Sequence, residues 1–158
     1  MLCWRIARRP YADLSGVGGL KSAGRWHLAG RPVIYSSTSI ALAALEYAVH
    51  TAKRPVDSVL ITIELPADSV LTIETCLAGP LPANWPFAEA QTRHLGTKWL
   101  DSGESIALEL PSIVIPMERN LMLNPAHPRF REVKAVDMSP FFFDPRIFRT
   151  GQQQKSNG

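Results

Sequence analysis

The sequence predicts an α+β fold, a single domain built on a mixed, mainly antiparallel sheet with few helices. Three observations predict it. Short segments of alternating apolar and polar residues recur along the chain, one helix carries a strong signal, and strands and helices do not alternate as regular βαβ units would. A chain of 158 residues buries enough surface for one core without disulfide or metal support. One domain is expected over residues 1–150, followed by a polar, disordered tail at 151–158.

Residues 2–8 alternate as a strand, with Leu2, Trp4 and Ile6 on one face and Arg5 on the other, opposite the core. Residues 15–24, with Gly16, Gly18, Gly19 and Gly24, read as a flexible loop that enters a strand near 33–36. Lys21 and Ser22 follow no six-residue glycine frame and lead into no helix, so the loop does not fit a phosphate-binding P-loop. Ser37, Thr38 or Ser39 is expected to cap a helix running from Ile40 to about His50. On that helix Leu42, Leu45 and Val49 form one stripe, and Glu46 lies on it. A carboxylate therefore faces inward, where it must meet a cation or hydroxyl or line a ligand cleft.

Residues 58–65 form the clearest strand, with Val59, Ile61, Ile63 and Leu65 on one face, and 70–73 is expected to continue the sheet. Residues 77–86 are proline-rich and irregular. A second helix is expected over 87–100, with Phe87, Leu95 and Trp99 as core contacts, although Gly96 weakens it. Residues 105–110, 112–115 and 133–136 complete the expected strands, and 120–130 holds an ordered turn built on Asn-Pro-Ala-His-Pro. Asn124 and His127 lock that turn. The run Phe141-Phe142-Phe143 is expected to pack the terminal segment onto the core rather than to form a partner surface.

Net charge is +3 with a pI near 9.1, and the basic residues are scattered. That surplus favours an anionic ligand or an acidic partner surface, and no direct nucleic-acid binding is expected. No apolar run is long enough to span a bilayer, and the N-terminus lacks the pattern of a signal peptide. The two cysteines, Cys3 and Cys76, are too few for a disulfide framework and lie outside any zinc-ligand spacing. Both read as small apolar fillers, no metal is expected, and a reducing cytoplasm is the natural compartment.

Four residues stand in distinctive contexts: Arg25 in Gly-Arg-Trp-His, Tyr35 in Ile-Tyr-Ser-Ser, Glu46 in Ala-Leu-Glu-Tyr and Ser112 in Leu-Pro-Ser-Ile-Val-Ile-Pro. A cation, a ring, a carboxylate and a hydroxyl could together hold a nucleotide. Arg25 offers a planar fork for diphosphate oxygens. Tyr35 could stack on a base or fill the core. Ser112 could bond a ribose or amide group or the backbone at a strand end; no histidine stands in a nucleophile elbow beside it. Second-rank candidates are Arg5 for phosphate, Trp26 as a pocket wall, His27 beside it, and Asn120 as a loop anchor. For Glu46 the alternative to a cleft is a buried ion pair with Arg5 or Arg25.

The order and spacing of Gly-Arg-Trp, Tyr-Ser-Ser, Ala-Leu-Glu and Pro-Ser-Ile-Val-Ile-Pro…Asn…Asn-Pro-Ala-His-Pro resemble those of RES-domain proteins over residues 3–140. The block from Trp99 to His127 is the most specific part. The resemblance carries the family's Arg, Glu and Ser onto Arg25, Glu46 and Ser112, with Tyr35 as companion. It implies a fold similar to ADP-ribosyltransferase toxins and the toxin of a bacterial toxin–antitoxin pair that cleaves NAD at the nicotinamide–ribose bond, by hydrolysis or phosphorolysis. NAD would be a substrate, with no cofactor. The implied partner is an Xre-like helix-turn-helix antitoxin, with homo-oligomerisation within the complex open. Alternatives are an ADP-ribosyltransferase acting on one protein and a non-catalytic nucleotide-binding module.

Overall fold

A computed structural model describes residues 1–51 and 55–148; the tail expected at 151–158 lies outside the described residues. Seven strands form one sheet: β1 (Leu2–Arg8), β2 (Ile34–Ser37), β3 (Ser58–Glu64), β4 (Val70–Thr72), β5 (Ala107–Pro111), β6 (Arg119–Leu123) and β7 (Lys134–Pro140). Their order is β4-β5-β6-β2-β1-β3-β7. Among the described residues only the β4–β5 pair is parallel, so the sheet is mixed and mainly antiparallel, as the sequence predicts. Four helices accompany it: α1 (Gly18–Lys21), α2 (Ile40–Val49), α3 (Ile73–Leu77) and α4 (Glu89–Ser102).

Strand β3 alternates as expected, with Val59, Ile61, Ile63 and the following Leu65 buried in the largest core cluster beside Cys3, Ile34, Leu121 and Leu123. Burying such side chains supplies about 1.5–3 kcal/mol each. Arg5 shares its face with Cys3 and Ala7, both buried in this cluster. It therefore does not lie opposite the core. Trp4 and Ile6 pack on the other side against α2 and Phe143, so β1 is covered on both faces.

Helix α2 starts where the sequence indicates, since Ser39 Oγ accepts from Leu42 N at 3.1 Å. Its inner face is rotated from the expected stripe. Leu42 and Ala43 are buried while Leu45 and Val49 are 36% and 54% exposed. Ala43 and Tyr47 take that side because they pack on Ile6 and Phe143, with the Tyr47 and Phe143 rings stacked 5.5 Å apart. Glu46 remains half-buried on the inner side.

Three further expectations are corrected. The loop at 15–24 contains the single helical turn α1. Phe87 is 92% exposed, because it ends a 3-10 turn begun at Trp85 and α4 starts only at Glu89. Residues 112–115 form a turn rather than a strand: the Ser112 hydroxyl accepts from Val114 N and Ile115 N and competes with a ladder. Pro116 supplies no N–H either. The chain then re-enters the sheet earlier than expected, as β6, which occupies the start of the segment read as a turn.

The Asn-Pro-Ala-His-Pro turn is locked by its own side chains. Asn124 Nδ2 donates to Leu100 O and its Oδ1 accepts from Ala126 N, while His127 Nδ1 accepts from Arg129 N. Trp99 is buried in the α4 core as expected and Leu95 is half-buried. Gly96 belongs in that helix for a steric reason, since a Cβ there would stand 1.9 Å from Trp26 O. Phe143 is buried and Phe141 packs on it edge-on, whereas Phe142 faces solvent. Cys3 is buried, with its thiol pushed up to about 11 by burial, and Cys76 packs half-buried on the α4 core. Among the described residues no helix is long and apolar enough to cross a membrane.

Candidate active site

A cavity of about 450 Å³ opens between β1, β2, α2 and the 18–27 segment, within the range of small-molecule sites. Arg5, Arg25, Trp26, His27, Tyr35, Glu46 and Asn120 all line it. The sequence candidates are thus gathered from five separate stretches of chain, with one exception. Ser112 is fully buried behind the wall.

Glu46 and its holders form the first group. One carboxylate oxygen, Oε1, accepts from Ser112 Oγ at 2.7 Å and from Asn120 Nδ2 at 2.5 Å. Among the described residues Oε2 takes no hydrogen bond. No ion pair with Arg5 or Arg25 forms, and the half-buried carboxylate is held by neutral donors instead. Ser112 uses its one proton on Glu46 and its lone pairs on Val114 N and Ile115 N. Its hydroxyl therefore orients the carboxylate and is not presented to the cavity. Asn120, read from sequence as a loop anchor, stands on β6 opposite Ser37 and touches the carboxylate directly.

The second group holds the 22–27 segment. His27 Nε2 meets Ser22 O at 3.1 Å, and a carbonyl only accepts, so Nε2 carries the proton. Nδ1 is then the acceptor for Tyr35 Oη at 2.9 Å, and Tyr35 Oη in turn accepts from Trp26 N. Burial lowers the His27 pKa and raises that of Tyr35, favouring the neutral forms this chain of bonds needs. Gly24 is required here, because a Cβ would lie 2.8 Å from the His27 ring and 3.0 Å from Tyr35 Oη. Helix α4 clamps the same segment through Thr92 Oγ1 to Arg25 O and Arg93 Nε to Gly24 O.

Arg25 is anchored to the 85–86 backbone: Nη2 donates to Trp85 O at 2.9 Å and to Pro86 O at 2.5 Å. The guanidinium carbon lies 5.8 Å from the Trp85 ring centre, and Trp85 stacks on Trp26. Nε is buried without a partner. Half of the fork is therefore committed to protein. Arg5 donates from Nη1 to Asp13 O, and burial lowers its pKa while Asp13 opposes that.

Several lining residues escaped the sequence reading. Trp4, Ser37, Tyr47 and His50 all face the cavity. His50, the C-cap of α2, could have been found from Glu46, since it follows it by four positions, about one helical turn. Trp85 carried only the signal of a proline-rich stretch. Among the described residues no group of three or more His, Cys, Asp or Glu is gathered for a metal.

The RES domain model matches residues 2–144. A Pseudomonas putida protein named Toxin Res is 41% identical over 94% of this chain and its own whole length. A Sphingobium protein named Prs ADP-ribosylating toxin is 37% identical, over 92% of this chain and 96% of its own. The crystal structure of the M. tuberculosis MbcT–MbcA toxin–antitoxin complex contains a chain of similar fold, with TM-score 0.71 at 17% identity, covering 93% of this chain and 86% of that one. By its sequence over nearly its whole described length, the chain belongs to the RES domain family.

Proposed function

We propose that this chain is the toxin of a toxin–antitoxin pair and cleaves NAD at the bond between nicotinamide and ribose. The observation that carries the reading is Glu46: its carboxylate stands on the wall of a cavity of about 450 Å³, fixed through one oxygen by Ser112 and Asn120. Breaking the C1′–N bond builds positive charge on the sugar. The bonding pair leaves with nicotinamide, which is cationic in NAD and departs neutral, so no general acid is needed. An acceptor oxygen then bonds to C1′ and releases its proton. Glu46 Oε2 faces the ribose, accepts from its hydroxyls and stabilises the developing charge with no reorganisation, because Oε1 is already held.

Tyr35 and Trp26 supply aromatic walls for a planar base, and the free edge of Arg25 with Arg5 supplies positive charge for the diphosphate. The net charge of +3 fits an anionic substrate. Support for the toxin role comes from relatives named Toxin Res, and support for an antitoxin partner from the MbcT–MbcA complex. The partner is taken to be an Xre-like helix-turn-helix protein that blocks the cavity, with the complex in the cytoplasm and the copy number of this chain in it open. Membrane and nucleic acid have no part in the reading.

A second reading is favoured by the Sphingobium relative, whose name is that of an ADP-ribosylating toxin. Here the acceptor is a protein side chain in place of water or phosphate. Incubating the purified chain with NAD, with and without inorganic phosphate, and separating the products tests both. Nicotinamide release without an added protein supports cleavage, and the co-product, ADP-ribose or its phosphate, identifies the acceptor. Release only when a protein acceptor is added supports the transferase. Binding of NAD without any release would overturn both in favour of a binding module.

A further inference from the structure

The carboxylate of Glu46 is held by an amide that is itself held at its other end. Asn120 Nδ2 points to Glu46 Oε1 while Asn120 Oδ1 accepts from Ser37 Oγ at 2.7 Å. Turning that amide over would bring a carbonyl oxygen against the carboxylate and leave two acceptors face to face. Ser37 is buried, and it is the last residue of β2, in register with Asn120 on β6.

Ser37 lies within a run of four hydroxyl residues, Ser36–Ser39, of which the last three bond in reverse order to three consecutive residues of the facing segment. Ser37 Oγ reaches Asn120, Thr38 Oγ1 donates to Arg119 O at 2.9 Å, and Ser39 Oγ bonds Glu118 Oε2 at 3.2 Å while capping α2. The start of the helix that carries Glu46 and the amide that holds its carboxylate are thus fixed to each other by one short stretch of chain.

From this we infer that Ser37 is a positioning residue for Glu46, acting through Asn120: its hydroxyl donates to the amide carbonyl and so holds the N–H end in place on the carboxylate. Ser37 makes no hydrogen bond to Glu46; it also lines the cavity, so an unchanged KM in Ser37→Ala separates positioning through the amide from contact with substrate. The inference on turnover rests on the NAD-cleaving reading; the inference on geometry does not.

Two measurements on the folded chain separate these. Side-chain amide NMR of Asn120 reports the geometry without any substrate. One Asn120 Nδ2 proton is expected downfield in the parent, shifted by Glu46→Gln, lost from that position in Ser37→Ala and retained in Ser37→Thr, which keeps the hydroxyl. An unchanged resonance in Ser37→Ala overturns the inference. In the nicotinamide-release assay, Ser37→Ala is expected to lower kcat about tenfold or more with KM within about twofold, and Ser37→Thr to recover most of it. A Ser37→Ala kcat within about twofold of the parent overturns it as well, as does a loss in Ser37→Ala that multiplies fully with that of Asn120→Ala. If the parent releases no nicotinamide, the proposed function fails and the NMR result still decides the role of Ser37.

Discussion

Ser112 Oγ donates to Glu46 Oε1 at 2.7 Å, joining residues 66 positions apart in the chain. This bond and that from Asn120 fall on one oxygen, and among the described residues the other takes no hydrogen bond. Glu46→Gln separates them. The glutamine carbonyl can take over both bonds, which keeps the fold, while its NH₂ replaces the oxygen turned to the cavity. Removing such an electrostatic group costs about 3 kcal/mol in the transition state, a loss on the order of 10²–10³ in kcat. Nicotinamide release and a thermal melt on one preparation check this; a variant as stable as the parent and equally active would take Glu46 out of the mechanism.

Ser112→Ala tests the other side of the same bond. It removes one donor from Glu46 and leaves Val114 N and Ile115 N without their shared acceptor in a half-buried turn. An orphaned amide costs about 1–3 kcal/mol when fully buried and less when half-buried, as here, so this variant should lose some stability as well as activity. Denaturant unfolding beside the turnover assay distinguishes it from Glu46→Gln, whose stability should hold. A fully stable Ser112→Ala would mean that the turn at 112–115 finds its hydrogen bonds elsewhere.

What was legible in the sequence follows from how local each signal is. The β3 alternation and the Ser39 cap of α2 are set within a few residues, and both were readable. The turn at 112–115 looked like a strand because Ile113, Val114 and Ile115 are β-branched, and the opposing force, a hydroxyl folding back on two amides, leaves no trace in composition. The inner face of α2 was misjudged for a similar reason. Leucine and valine outrank alanine and tyrosine in apolar character, but the partners Ile6 and Phe143 that choose Ala43 and Tyr47 come from distant segments. At the site, Arg25, Tyr35 and Glu46 were singled out by context and do share the cavity. The amide of Asn120 and the hydroxyl of Ser37 were invisible as a pair, because strand register alone brings them together.

Gly96→Ala probes the support behind the site. Alanine is ordinarily the better helix former by about 1 kcal/mol. Here its Cβ would stand 1.9 Å from Trp26 O, a backbone atom of the very segment that carries Arg25. Overpacking of this kind costs about 1–3 kcal/mol or more, so the sign of the usual substitution is reversed. The variant should melt lower and bind NAD more weakly, as Trp26 and Arg25 are pushed from α4. A more stable Gly96→Ala protein would show that α4 and the 24–27 segment are not in close contact.

Arg25→Lys keeps the charge and removes the fork. Lysine can reach one of the two carbonyls at Trp85 and Pro86 but cannot also present a planar edge to the cavity. The expected result is a rise in the KM for NAD of about tenfold or more, together with loosening of the 85–87 turn visible as faster amide exchange there. Retention of the parent KM would assign Arg25 to holding that turn alone.

His27 gives the chain a stability that depends on pH, with a sign that follows from its burial. The imidazole is neutral in the fold, with Nδ1 accepting from Tyr35 Oη, and burial lowers its pKa below the ordinary 6.5. Between those two values the unfolded chain binds the proton and the folded chain does not, so the unfolded state gains on acidification. The His27 contribution is therefore complete above pH 6.5 and is lost progressively as pH falls from there to the folded value. Protonation would turn Nδ1 into a donor, break the bond from Tyr35 and release the segment that carries Trp26 and Arg25. His27→Asn retains an acceptor near Tyr35 but cannot titrate. Its unfolding free energy should be lower than the parent's at neutral pH and should fall less steeply below pH 6.5. Equal slopes for the two proteins would show that the acid sensitivity arises elsewhere and that His27 is not held neutral by the fold.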